Sequence, residues 1–169
     1  MQPLKTYDYL TRSRAIILDA ARPLSHEKYH REFPIGPGSL ARTLTHTLGA
    51  EWYYIERMLG HQTPPYDECP IREEDPFALP DLAAEWDAQA ARTRAALDAV
   101  ADWDAPISYT VEYEGKRVRV TASASDLFTQ LALHEMHHRA QALNILRHLG
   151  VTFDRDLDYN AMMYTRVEI

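Results

Sequence analysis

The stretch from Ser123 to Gly150 constrains the fold most. It opens on Ser123-x-x-Asp126, the pattern of a helix-starting capping box, and closes on a glycine suited to ending a helix. Between them Leu127, Leu131, His134, His138, Gln141 and Ile145 recur at spacings of four, three, four, three and four. That is the inward seam of a helix packed against other helices. At ~1.5 Å per residue a helix of about 26 residues is roughly 39 Å long, so it needs partners of comparable length. Two imidazoles and an amide occupy seam positions where leucines are usual.

Proline and glycine divide the rest of the chain so as to supply those partners. A first helix is expected from about Thr6 to Ala21, with apolar Leu10, Ile16, Ile17 and Ala20, ending before Pro23. A second starts after Ser39, a good N-cap, and stops at Gly60. About twenty residues with Pro64, Pro65, Pro70 and Pro76 follow, too long for an ordinary connection unless it is functional or a crossover. A third helix starts near Pro80, with Leu82, Trp86, Gln89, Thr93, Leu97 and Val100 on one face. Then the period changes: Ile107, Tyr109, Val111 and Tyr113 alternate, Glu114-Gly115 can turn, and Val118 and Val120 alternate with arginines, as in a hairpin. The expected fold is all-α, a four-helix bundle of one domain over residues 1–169. It has a long crossover between helices two and three and a small β-hairpin before helix four.

Composition excludes several functions. Twenty-five acidic residues against eighteen basic give a net charge of −7, which repels phosphate backbones, so no nucleic-acid partner is expected. The single cysteine, Cys69, excludes an internal disulfide framework. The start MQPLKTYDYL has no apolar core of a signal peptide, and no run of ~18 apolar residues occurs. A soluble, cytoplasmic protein without a membrane partner is the expectation.

The eight histidines carry the chemistry. His134 and His138, at i and i+4, point the same way and can share one divalent ion; the competing reading is two core histidines hydrogen-bonded to other helices. His137 competes as a ligand but lies about 100° from His138 around the helix, toward the edge of the seam. His61 and His148, near helix ends, read as solvated. His134-Glu135-Met136-His137-His138 also matches the zinc-peptidase pattern H-E-x-x-H, but so does His26-Glu27-Lys28-Tyr29-His30 in the first linker, and no third peptidase ligand follows. A di-iron carboxylate centre would need Glu-x-x-His on two helices, and only Glu135-x-x-His138 is present in the bundle helices. Periodicity does not select a ligand on helix two. Its apolar face is Leu40, Leu44, Leu48, Ile55 and Leu59, whereas His46 lies with Thr43, Thr47, Ala50 and Tyr54, on a face that could be a metal pocket, solvated or packed on a helix.

SLARTLTHTLGAEWYYIERMLG in helix two and HEMHHRAQALNILRHLG in helix four together resemble the DinB-like (damage-inducible, YfiT-type) family of metal-binding four-helix bundles. That family has one His in helix two and a His-x-x-x-His pair followed by Arg-Gly-Gln in helix four. Arg139-Ala140-Gln141 stands at that last position here, with Ala for Gly. The hairpin and the closing Asp156-Leu157-Asp158-Tyr159 are similar as well, so the resemblance covers nearly the whole chain.

The resemblance implies a metal held by His46, His134 and His138. Three neutral imidazoles leave one or more positions open, which suits zinc or nickel. It also implies transfer or isomerisation with a low-molecular-weight thiol of the bacillithiol, mycothiol or glutathione type, acting on a small electrophile. In that reading Glu135 is a candidate base and Gln141 a candidate for orienting a ligand. The plainer readings are a solvated helix face for Glu135 and a satisfied polar seam for Gln141. The alternatives are a metal-assisted hydrolase using bound water and a non-catalytic, metal-binding bundle that serves as a homodimer.

Overall fold

Among the described residues six α-helices and one hairpin follow in the order α1 (Pro3–Ala21), α2 (His26–His30), α3 (Leu40–Met58), α4 (Leu79–Asp98), β1 (Pro106–Tyr113), β2 (Lys116–Ser123), α5 (Ala124–His148) and α6 (Tyr159–Met163). The structure, a computed structural model, describes residues 2–154 and 156–168. It is mainly helical, and among the described residues no helix is long and apolar enough to cross a membrane.

The starts of α3 and α5 are fixed by their own side chains. Ser39 Oγ accepts from the Arg42 amide at 3.2 Å. Ser123 Oγ accepts from the Asp126 amide at 3.1 Å, while Asp126 accepts from the Ser123 amide at 2.9 Å, completing the reciprocal box. In the hairpin, Glu114 and Gly115 both have positive φ (50° and 70°), the conformation that turns two strands without splaying them. Tyr109 pairs with Val120 and Val111 with Val118. The ribbon leans on α3 through Arg57, whose guanidinium lies 3.8 Å from the centre of the Tyr53 ring and 4.3 Å from that of Tyr109. Because β2 runs straight into α5, the hairpin also sets where α5 begins.

The four long helices pack in a closed circuit: α3 against α5 and α4, and α1 against α5 and α4. One apolar cluster gathers Ile17, Leu44, Leu48, Leu82, Trp86 and Ile145; a second gathers Tyr7, Leu10, Ile55, Leu97, Phe128 and Leu131. Between the helices lies a buried charge cluster. Arg14 Nη2 donates to Glu51 Oε2 and to Glu135 Oε2, both at 2.6 Å, and its Nε donates to Glu135 Oε1 at 3.2 Å. Tyr7 Oη and Thr93 Oγ1 donate to Glu51 Oε1 at 2.5 and 2.6 Å, and Gln89 donates to Thr93. The indole of Trp86 covers the guanidinium at 3.5 Å. This explains why Gln89 and Thr93 sit on the buried face of α4.

Three local features depart from the sequence reading. α1 starts at Pro3 rather than Thr6, with the proline at the head of the helix where its missing N–H costs nothing. The His26–Glu27–Lys28–Tyr29–His30 linker is a short helix capped by Ser25. The tail forms α6 and docks through Tyr9, whose hydroxyl donates to the Leu157 carbonyl at 2.8 Å.

Replacing Arg14 with Met leaves two carboxylates buried without a cation. Loss of one partner of a buried pair costs about 3–5 kcal/mol. At roughly 2–4 °C per kcal/mol for a chain of this size, Tm should fall by about 6–20 °C. Adding Glu51→Gln and Glu135→Gln to Arg14→Met should recover much of that loss by thermal circular dichroism. A triple variant no more stable than Arg14→Met alone would mean that packing, not charge, explains the loss.

Candidate metal centre

His46 comes from the middle of α3, and His134 and His138 from adjacent turns of α5, half-buried where these two helices face each other. Their candidate ligand atoms all lie within 4.8 Å of one another. His46 Nε2 and His134 Nε2 are 3.1 Å apart. Donors around a tetrahedral ion at ~2.0–2.1 Å stand about 3.3–3.4 Å from each other, so this spacing suits a shared cation.

The outward nitrogens are held. His46 Nδ1 pairs with Glu73 Oε2 from the crossover. His138 Nδ1 donates to Gln141 Oε1 at 2.8 Å. With hydrogen on Nδ1 in both rings, each Nε2 presents a lone pair, and carboxylate or amide partners of this kind fix both tautomer and ring orientation of metal-ligating histidines. Burial, and then the neighbouring imidazoles His138 and His46, push His134 down to about 4. Burial, and then His46, push His138 down to about 4 as well. Both rings are therefore neutral near pH 7, the form that binds a metal. The donor set is compatible with a divalent metal ion.

His137 is exposed and outside the three-imidazole group; it accepts from Gln141 Nε2 at 2.9 Å. Gln141 thus bridges His137 and His138, and it packs over Gly36. A Cβ built on Gly36 would meet Gln141 Oε1 at 2.1 Å, and the backbone there has φ +51°, so two demands converge on glycine at that position. Glu135 is not on a solvated face. It is buried against Arg14, with both oxygens engaged, and burial pushes its carboxyl above the usual range against the pull of Arg14. That geometry gives a base role no support. The face of α3 that carries His46 is a packing face: Thr43 and Thr47 are buried, with hydroxyls returned to the Ser39 and Thr43 carbonyls. His61 is exposed and paired with Glu56, and His148 is exposed and stacks on Phe33.

Sequence reasoning missed Glu73 and the cavity beside it. A space of about 240 Å³ opens off His46 and His134, walled by Tyr53, Tyr54, Tyr66 and Cys69. The crossover closes one side by resting on α3 at Gly49, where an added Cβ would stand 2.9 Å from the Ile71 carbonyl oxygen. The Cys69 thiol points to the Pro65 carbonyl at 3.5 Å, and burial pushes its pKa up, away from thiolate. Nothing in an irregular, proline-rich segment has a period from which these contacts could be read.

A family model described as the DinB superfamily matches residues 9–142, a span that takes in most of α1, all of α3, α4 and the hairpin, and all three clustered histidines. The chain belongs to the DinB superfamily. No curated protein matches it. Members of the superfamily are metal-binding, in keeping with the three-histidine cluster of this DinB-like chain.

Metal-free protein should show the two depressed imidazoles in its pH–stability curve. Their folded pKa values lie below the unfolded value of ~6.5, so the unfolded chain binds more protons. Their contribution is complete above pH ~6.5 and is lost as pH falls toward about 4. The Tm of chelated protein should fall over that window, and less steeply in a His134→Gln/His138→Gln variant. Equal slopes in the two proteins would show that these rings titrate normally.

Proposed function

We propose that this DinB-like protein is a four-helix bundle of one domain in which His46, His134 and His138 ligate a divalent ion. We further propose that it catalyses attack of a low-molecular-weight thiol, of the bacillithiol, mycothiol or glutathione type, on a small electrophile. The observation that carries this reading is the cavity beside the imidazoles. It reaches two of the three rings, three phenols stand in its wall, and burial pushes the pKa of its own thiol up. Both features favour a nucleophile that comes from outside the protein. A divalent ion such as zinc or nickel, which His46, His134 and His138 would hold, would supply Lewis acidity that lowers the pKa of a bound thiol.

The remaining steps fall to side chains of the chain itself. Glu73 and Gln141 are positioning residues: they hold His46 and His138 with Nε2 inward. Tyr53, Tyr54 and Tyr66 form an apolar wall with polar tips, suited to an uncharged or aromatic electrophile about the size of the space. The sulfur–carbon bond forms as the leaving group departs, and the thiol proton goes to solvent. Water activation has less support, because Glu135 is committed to Arg14 and Glu73 to His46, and among the described residues lining the cavity no other carboxylate is placed as general base.

Protein loaded with zinc or nickel should consume a small alkyl or aryl halide only when a thiol is added, and chelation should abolish the reaction. Cys69→Ser should keep at least about half of that activity, since the nucleophile is not the protein's own. Turnover that proceeds without thiol, or that vanishes in a folded Cys69→Ser variant, would overturn the mechanism.

A further inference from the structure

The stripe of α3 that carries His46 continues past the metal centre. Gly49, Ala50 and Tyr53 follow at helical spacing and wall the cavity of about 240 Å³, whose long direction therefore runs along α3. The next residue of the stripe, one turn beyond Tyr53, is Arg57. It stands eleven residues after His46, about 16 Å along the helix at ~1.5 Å per residue. Its side chain returns toward the cavity, because the guanidinium lies on the Tyr53 ring, 3.8 Å from the ring centre.

Arg57 is an unpaired cation in a chain whose acidic residues exceed its basic ones by seven. Tyr53 of α3 and Tyr109 of the hairpin stack on it, but rings supply no acceptor for its N–H groups. Its Nε is buried without a hydrogen-bond partner, and among the described residues no carboxylate pairs with the group. The adjacent Glu56 is taken by His61 and Arg92. Arg57 as a whole is only half-buried, and Nε is the one nitrogen closed off without a partner, so the outer nitrogens stay open to an incoming anion. An apolar side chain could also staple the hairpin to α3. A guanidinium held by stacking with its edge free adds a fork for a planar carboxylate.

The size of the cavity directs a ligand toward that edge. About 240 Å³ lies below the ~300–1,000 Å³ of sites that enclose a whole small molecule, so a thiol and an electrophile together overflow it. An extended tripeptide spans roughly 10 Å, enough to run from the imidazoles past Tyr53. Burial pushes the Cys69 thiol up, and Arg72 and Arg57 pull it back, so the charge of Arg57 is felt in the cavity wall.

We infer that Arg57 is the specificity-determining residue of this site and binds a carboxylate on the thiol, whose sulfur end lies among the imidazoles. The inference rests on the thiol reading above and narrows it. Glutathione and bacillithiol carry carboxylates and qualify; mycothiol carries none and does not.

Calorimetric titration of the full-length, zinc-loaded protein with glutathione, bacillithiol and mycothiol tests this. The tighter of the two carboxylate thiols should bind at least about tenfold more tightly than mycothiol, and its methyl ester should lose about tenfold or more. Arg57→Gln should weaken that thiol about ten- to thirtyfold and leave mycothiol and the ester within about twofold. Arg57→Lys should fall between, keeping the charge without the fork. A variant that merely loosens the hairpin weakens all thiols together, so the ratio of charged to neutral thiols is the readout. Mycothiol or the ester binding as tightly as the free carboxylate, or an equal loss for every thiol in Arg57→Gln, would overturn the role of Arg57 and leave the thiol reaction standing. Failure of every thiol to bind would also overturn it, and the thiol reaction falls with it only if thiol-dependent turnover is missing too.

Discussion

Among the described residues Arg14 is the one buried cation, and the arrangement of the long helices turns on it. From α1 it reaches Glu51 on α3 and Glu135 on α5 through a single nitrogen, and Thr93 of α4 joins through Glu51. Apolar contacts alone would tolerate sliding of one helix along another by a turn. A buried charge does not, because each displaced partner would leave an ion without compensation. Glu135 directly follows His134, and Glu51 lies little more than one turn from His46, so the same cluster that fixes the helix register fixes which imidazoles meet. Its value is less in net stability than in specifying one arrangement. Two carboxylates share one guanidinium, and burial answers by pushing Glu135 toward its neutral form.

The imidazole cluster is built on the opposite electrostatic principle. His134 and His138 are pushed down to about 4, so three rings come together near pH 7 without forcing three charges together. The anchoring partners sit outside the cluster: Glu73 behind His46 and Gln141 behind His138. The crossover therefore does two jobs. It supplies the carboxylate that orients one ring, and with Tyr66 and Cys69 it closes the cavity onto which that ring opens. Gly49 and Gly36 allow the necessary close approaches, of the crossover to α3 and of Gln141 to its facing loop.

Much of this was legible in the sequence wherever a period was present. The seam of α5, the capping box, the Glu114-Gly115 turn and the buried face of α4 follow from spacing alone, because packing in helices and strands repeats with the backbone. Even the charge cluster obeys the rule in retrospect: Arg14 stands four residues after Leu10 and three before Ile17, and Glu51 stands three after Leu48 and four before Ile55. Charged residues on a seam signal a buried pair as surely as histidines there signal a site. His46 was legible only through family resemblance, since its face of α3 carries threonines rather than leucines. Glu73, the cavity and α2 were not legible at all, because a crossover that makes its contacts one residue at a time leaves no repeating pattern. The burial of Glu135, for which the sequence offered a base role or a solvated face, was not legible because its partner lies 121 residues away.

The central claim is that His46, His134 and His138, and not His137, form one metal centre. It is tested most directly by metal affinity, measured by competition with a chelator, in single His→Ala variants checked for folding by circular dichroism. His46→Ala, His134→Ala and His138→Ala should each lose tight binding. His137 meets the centre through Gln141 and through an edge-on contact with the His138 ring, so His137→Ala should lose no more than the ~10–100-fold typical of a supporting residue. Tight binding by His138→Ala beside loss of binding by His137→Ala would contradict the account.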